Sequence, residues 1–320
     1  MRLVHKLTWA IIIVSFIGAT PSYASSVSGI TSIVPAEWSN EKLYHIFFLN
    51  RDTGWIVGTG GVILKTANGG IKWEPQVSGT TEELNGVAFT DTNTGWIVGS
   101  RGTILKSIDG GKTWKTRTSG TPERLNFIFF VNPTTGWITG RYGTLLKTSD
   151  GGNNWTPQTT GLRVSINHIY FIDENTGWVN GSNGTILKTI DSGATWTPQN
   201  SGGEGWLKGL FAIDKNRAWV TGTDGTILST TDGGATWIPQ KTGTTEWVRS
   251  VYFIDSNTGW AVGNSGTILK TLDSGKSWGP QKSGTDKELY NIIFTDSKRG
   301  WIVGNKGIIL NTENGGIDWI

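Results

Sequence analysis

Arg101, Arg141 and Arg163, with Tyr142 and either Glu83 or Glu123, are residue types that could be assigned a defined chemistry. Guanidinium groups around a substrate carboxylate, a tyrosine nucleophile partnered by a glutamate and a separate acid would hydrolyse an acidic sugar. The requirement is strict, because glycoside hydrolysis ordinarily needs paired carboxylates at a defined separation. No motif in this chain ties the tyrosine to a glutamate, and the arginines come from successive repeats of a repeating sequence. Metal chemistry has less support. His45 and His168 occupy the same repeat position three units apart, which places them on nearly opposite sides of a ring. No further ligands accompany them, and the chain has no cysteine. No Ser–His–Asp set, phosphate loop or nucleotide fingerprint is present. No metal and no cofactor is expected.

The elements that position these residues are set by an octet. SIDGGKTW, Ser107 to Trp114, recurs with its terminal tryptophan every 41 residues from Trp73 to Trp319. A second series, Trp55, Trp96, Trp137, Trp178, Trp219, Trp260 and Trp301, has the same spacing. A period of this length, rich in Gly, Thr and short β-forming runs, predicts an all-β, seven-bladed propeller of four-stranded antiparallel blades. In the second unit the strands are Leu84 to Asp91, Gly95 to Ser100, Thr103 to Ile108 and Thr113 to Gly120. The first three are apolar on both alternations, as expected of strands covered on both faces, and the fourth is polar, as an outer edge should be. Residues 34–320 span 287 positions, seven periods of 41. Thr31 to Trp38 is therefore expected to complete the outer strand of the last blade and close the ring.

The octet is an Asp-box. Asp109, Asp150, Asp191, Asp232 and Asp273, with Asn68 and Asn314 in the first and last copies, are expected to accept backbone N–H bonds across a tight turn. The tryptophan packs the turn onto its blade, and its indole N–H needs a partner. One carboxylate per turn falls short of a calcium site. These residues are structural.

The segment before the repeats resembles a signal peptide. Arg2, His5 and Lys6 precede an apolar run, Leu7 to Ala19, and Ser22-Tyr23-Ala24 offers a cleavage site, so 1–24 is read as a leader and 25–320 as one domain. The mature chain is expected in the periplasm or secreted, as a monomer without a membrane span. Loss of Arg2 and Lys6, with no acidic residue beside them, lowers the net charge from +3 to +1. That balance argues against nucleic acid as a partner.

The combined pattern GW-(I/V)-VG-x-x-GTILKT-x-DGG-x-TW, clearest at Gly184 to Thr189 and Gly266 to Thr271, resembles the repeat of the photosystem II assembly and stability factor family. The resemblance implies a non-enzymatic propeller that binds newly made reaction-centre protein through a basic patch. The partner would be a photosystem II reaction-centre precursor in the thylakoid lumen of a photosynthetic host, and otherwise an envelope or secreted protein. The alternative is a glycan-binding or sialidase-like glycoside hydrolase, since Asp-box blades also occur there.

Positions that differ between copies carry the candidate site. The turns between second and third strands, and the residues just before each inner strand, share the face opposite the octets. Arg101, Arg124, Arg141, Tyr142 and Arg163 gather on blades 2 to 4 of that face. Trp206, Glu204, Asp224, Trp247 and Glu246 gather on blades 5 and 6. A basic sector suits carboxylates and an aromatic sector suits an apolar or extended peptide.

Overall fold

The computed structural model describes residues 38–320. The predicted leader and residues 31–37 of the predicted closing strand lie outside that range. The described chain forms seven antiparallel sheets in sequence order, six with four strands and the last with three. In blade 2 the strands are Leu84–Phe89, Gly95–Gly99, Ile104–Ser107 and Lys115–Arg117. The second strand is buried at every position in all seven blades. The outer strand of blade 2 is exposed throughout.

Blade-to-blade packing explains the two tryptophan series. Trp55 of blade 1 stacks on Phe89 of blade 2 at 3.5 Å, and Phe89 meets the octet tryptophan Trp114 edge-on at 5.8 Å. The same sandwich recurs as Trp137–Phe171–Trp196, Trp219–Phe253–Trp278 and Trp260–Phe294–Trp319. It also closes the ring, because Trp301 of blade 7 and Trp73 of blade 1 bracket Phe48. The expectation of an indole partner is not met. All seven octet indole N–H groups are buried without an acceptor among the described residues. Edge-on ring packing, rather than a hydrogen bond, fixes six of these tryptophans, and Trp237 packs in the core that holds Ala212 instead.

The octet works as an Asp-box should. In blade 4, Asp191 Oδ1 accepts from Thr195 N at 2.9 Å and from Thr189 Oγ1 at 2.7 Å, and Asp191 Oδ2 accepts from Thr195 Oγ1 at 2.6 Å. Asn68 and Asn314 accept the equivalent backbone bonds from Lys72 and Asp318. Hydrogen bonds from Thr195 and Thr189 hold the Asp191 carboxyl down at about 2, well below the usual carboxylate range. The second octet glycine has a role beyond its turn. A Cβ on Gly152 would lie 2.3 Å from the Trp96 Nε1 of the preceding blade.

Ring closure is visible at Trp38 to Glu41. Gly307 N donates to Glu41 O at 2.7 Å, the bond that Gly102 makes to Glu123 O and Gly266 to Lys287 O elsewhere. Each acceptor is 21 residues beyond its donor, so Glu41 occupies the place of a residue 328. Trp38 packs against the core that holds Ile309. Asn311 and Ile320 exchange both backbone hydrogen bonds, which starts an outer strand at the end of the chain.

Candidate functional site at the channel mouth

Hydrogen bonds sort the loops into two faces. Each octet turn meets a turn between first and second strands, as in Gly110 N to Asn93 O at 2.8 Å. On the opposite face, Ser100 N donates to Glu83 O at 2.8 Å, which joins the second-to-third strand turn to the residue before the inner strand. In all seven blades the centre of that turn adopts positive φ, between 51° and 63°, at Gly60, Arg101, Tyr142, Asn183, Asp224, Ser265 and Lys306. Six of the seven are not glycine, although this backbone region costs a side-chain-bearing residue free energy. The conformation projects each side chain away from the blade, and Arg101, Tyr142 and Asp224 are exposed there.

This face surrounds a cavity of about 580 Å³ at the mouth of the central channel. One residue per blade forms its inner ring: Tyr44, Asn85, Asn126, Asn167, Lys208, Arg249 and Tyr290. In blades 2, 3 and 4 the asparagine amide reaches the next blade. Asn85 Nδ2 donates to Leu125 O at 2.8 Å, Asn126 to Ile166 O at 2.8 Å and Asn167 to Leu207 O at 2.7 Å. Blades 5 and 6 replace this neutral tie with cations. Below lies an aromatic zone of Phe47, Phe129, Tyr170, Phe211 and Tyr252. Phe127 sits between the zones, edge-on to His45 at 5.0 Å and stacked on His168 at 3.7 Å. The two histidines thus face each other across a narrow channel. Burial lowers the His45 imidazole to about 4, and burial then the His45 neighbour lower His168, so both are neutral at pH 7. No group of three or more metal-ligating side chains occurs among the described residues.

The charges are unequal. Arg124 pairs with Glu83, donates to Asn85 Oδ1 at 2.6 Å and lies over Tyr44. Arg249 is sandwiched by Trp247 at 4.2 Å and Tyr290 at 5.1 Å, donates to Asn264 Oδ1 at 2.6 Å and lies 3.4 Å from Glu288. Lys42, Arg141, Arg163 and Lys208 also line the mouth, and none has a carboxylate partner among the described residues. Burial, reinforced by Arg124 and Arg249, pulls the Lys208 ammonium down from 10.5 to about 8.

Of the eight residues singled out in the sequence, Arg124, Arg141, Tyr142, Arg163 and Trp206 line this one cavity. Arg101 projects outward and pairs with Glu82, and Asp224 lies on the outer turn. Trp247 lies outside the lining, half-buried beneath Arg249 and edge-on to Trp206 at 6.4 Å. Trp206 is 53% exposed. Lys208, Arg249, Tyr44 and Tyr290 were not singled out by sequence. Their signal was present, since they break the Asn repeat at one position of the period, but they sit inside strands that read as core. The sugar-hydrolase arrangement does not form from the expected residues: Glu83 pairs with Arg124, and Tyr142 stands exposed. A Tyr–Glu pair does occur, with Tyr290 Oη donating to Glu288 Oε2. Burial and Glu288 raise the Tyr290 phenol, which keeps it protonated.

Fold and site together define a seven-bladed Asp-box propeller with a cation-rich, aromatic-walled channel mouth. The family model described as photosynthesis system II assembly factor YCF48 matches residues 76–163, 158–240, 205–280 and 239–320. The chain belongs to that family. Among solved structures it is similar to "YCF48 bound to D1 peptide", at 21% identity and a TM-score of 0.73, over 85% of this chain and 93% of that one. It is also similar to YCF48 from Cyanidioschyzon merolae, at 22% identity and a TM-score of 0.72, over 86% and 96%. A GH74 xyloglucanase from Xanthomonas campestris shares the fold at 13% identity and a TM-score of 0.72, over 87% of this chain and 53% of that one. A search of curated proteins found no match.

Proposed function

We propose that this protein is a non-enzymatic assembly factor that holds a segment of a partner polypeptide on the channel-mouth face. The observation that carries the reading is the charge imbalance at the mouth. Lys42, Arg141, Arg163 and Lys208 are unpaired beside the exposed indole of Trp206. Surface cations without carboxylates attract acidic segments, and an exposed indole offers contact area at small entropic cost. Family membership supports a protein as the ligand, and a neighbour of the same fold is described as bound to a D1 peptide. In a photosynthetic host the partner is a photosystem II reaction-centre precursor; in any other host it is an envelope or secreted protein. The test is binding of a labelled D1 peptide, and capture from an envelope extract, by the wild type and by Arg141→Ala/Arg163→Ala/Trp206→Ala. The triple variant is expected to lose at least tenfold in affinity while its circular dichroism is unchanged. Equal binding by both proteins would remove this face from the reading.

The Tyr290–Glu288 pair and the xyloglucanase-like fold favour glycoside hydrolysis as a second reading. Glu288 is the one carboxylate lining the cavity among the described residues, so the second acid or base is missing. Sialyl and aryl glycosides are expected to remain intact. Turnover abolished by Tyr290→Phe would reverse that assignment.

A further inference from the structure

Lys208 is the odd member of the channel ring. Its counterparts in blades 2 to 4 are asparagines that tie neighbouring blades together, and Lys208 gives up that tie. It gains nothing visible in exchange, for no hydrogen bond or ion pair to its ammonium exists among the described residues. An unpaired ammonium in a partly buried wall is destabilising, so a charge kept there calls for a ligand. The surroundings fix the ligand's charge. Arg124 is neutralised by Glu83 and Arg249 by Glu288, which leaves Lys208 as the uncompensated cation of the inner ring, with Lys42, Arg141 and Arg163 also unpaired around the same cavity. That excess of cations calls for an anionic ligand, and an aromatic wall favours one that carries an apolar group over a bare inorganic anion. The aromatic pair Tyr44 and Tyr290, with ring centroids 5.4 Å apart, lines the same cavity. Its volume of about 580 Å³ falls within the range of small-ligand pockets.

We propose that the channel mouth is a monocarboxylate-binding site, in which the Lys208 ammonium receives the carboxylate and Tyr44 and Tyr290 pack on the apolar group that carries it. In the first of two forms, a free small acid, this goes beyond partner binding and does not depend on it; in the second, an acidic side chain, it rests on that reading. The carboxylate belongs either to a free small acid or to an acidic side chain of a bound segment, and the two sources are separable. Isothermal titration of the full chain with 3-phenylpropionate, 3-phenylpropionamide and sulfate tests the first. Titration with end-capped Gly-Gly-Glu-Gly-Gly and its Gln analogue tests the second. At least one carboxylate is expected to bind tenfold or more tightly than its amide, and more tightly than sulfate. Lys208→Met is expected to abolish that preference and Lys208→Arg to retain it. The ammonium can also be followed without a substitution, by reductive 13C-methylation and the shift of the Lys208 resonance as ligand is added. Absence of binding by both carboxylates, equal binding by Lys208→Met, a stronger response to sulfate, or a Lys208 resonance that does not move would each overturn the proposal. Loss of peptide capture in the Arg141/Arg163/Trp206 variant bears on the partner face alone and leaves this result untouched.

Discussion

Lys208 is held charged at a cost to the fold, and that cost has a pH signature. Its pKa in the folded chain is about 8, against 10.5 for a free lysine, because burial penalises the ammonium and Arg124 and Arg249 repel it. Below pH 8 the ammonium is charged in both folded and unfolded chains, and only the folded one bears the penalty. Between pH 8 and 10.5 the folded chain releases its proton first, so stability rises with pH through that window. Lys208→Met is therefore expected to be more stable than wild type at pH 7, by about 1–2 kcal/mol after allowing for partial solvation. The difference should shrink towards pH 10.5 in urea titrations. Carboxylate affinity should fall in the opposite sense above pH 8. The other charged or titratable groups lining the cavity are Lys42, Arg124, Arg141, Arg163, Arg249, Tyr44, Tyr142, Tyr290 and Glu288, with His45 and His168 below, and both histidines are already neutral at pH 7. An affinity that stays constant from pH 7 to 9.5 would show that the ammonium does not carry the binding.

Within a blade, the repeat couples two positions that face each other across the first strand pair. In six blades the inner strand ends on Phe and the second strand begins with Gly, and a Cβ on Gly177 would fall 2.6 Å from the Phe171 ring. Blade 5 has Ala212 opposite Ala218, a smaller side chain offset by a larger one. Gly177→Ala is expected to cost about 1–3 kcal/mol by overpacking. Adding Phe171→Ala should relieve that clash, so the two changes are non-additive in denaturant melts. The octet makes a similar distinction. Asp191→Asn keeps the acceptor that Thr195 N uses, as Asn68 and Asn314 do, and should shift the melting temperature far less than Asp191→Ala, for which a loss of about 2–4 °C is expected. Blade number, strand order and the two faces were all legible from the 41-residue period. The channel ring was not, and the cause is a bulge. In blade 1 the register shifts between Leu43 and His45, and blades 4, 6 and 7 have the same shift. Strict alternation would put Tyr44 and Phe47 on opposite faces, yet both reach the channel, one at the mouth and one below. Lys208 and Arg249 sit at the bulged position, so a period-two reading hides them in the core.

Across the whole ring, the blades are joined by lysines as well as by rings. Lys65, Lys106, Lys147, Lys188 and Lys270 each lie over a tryptophan of their own blade and donate to a carbonyl of the next octet turn, at 2.6 or 2.7 Å. Blade 5 has Ser229 instead, and there Trp219 Nε1 donates to Ser274 O at 3.1 Å. Blade 7 has Asn311, whose backbone pairs with Ile320. The octets facing these ties are acid-sensitive to different degrees. The carboxyls of Asp109, Asp150, Asp191, Asp232 and Asp273 are held down at about 2 by hydrogen bonds within their own turns, chiefly from the Thr, Asn or Ser three or four residues on. A carboxyl lowered on folding contributes stability that is complete above about pH 4, and that contribution is lost as the pH falls towards 2. Blade 1 has Asn50 and Asn68 at its two turn-forming positions on that face, and neither amide titrates. Hydrogen exchange at pH 3, compared with pH 6 after correction for intrinsic rates, should therefore show protection falling at the octet turns of blades 2 to 6. The octet turn of blade 1 should keep its protection. Uniform loss around the ring would mean that acid opens the disc as one unit and that the carboxyls do not set where it yields.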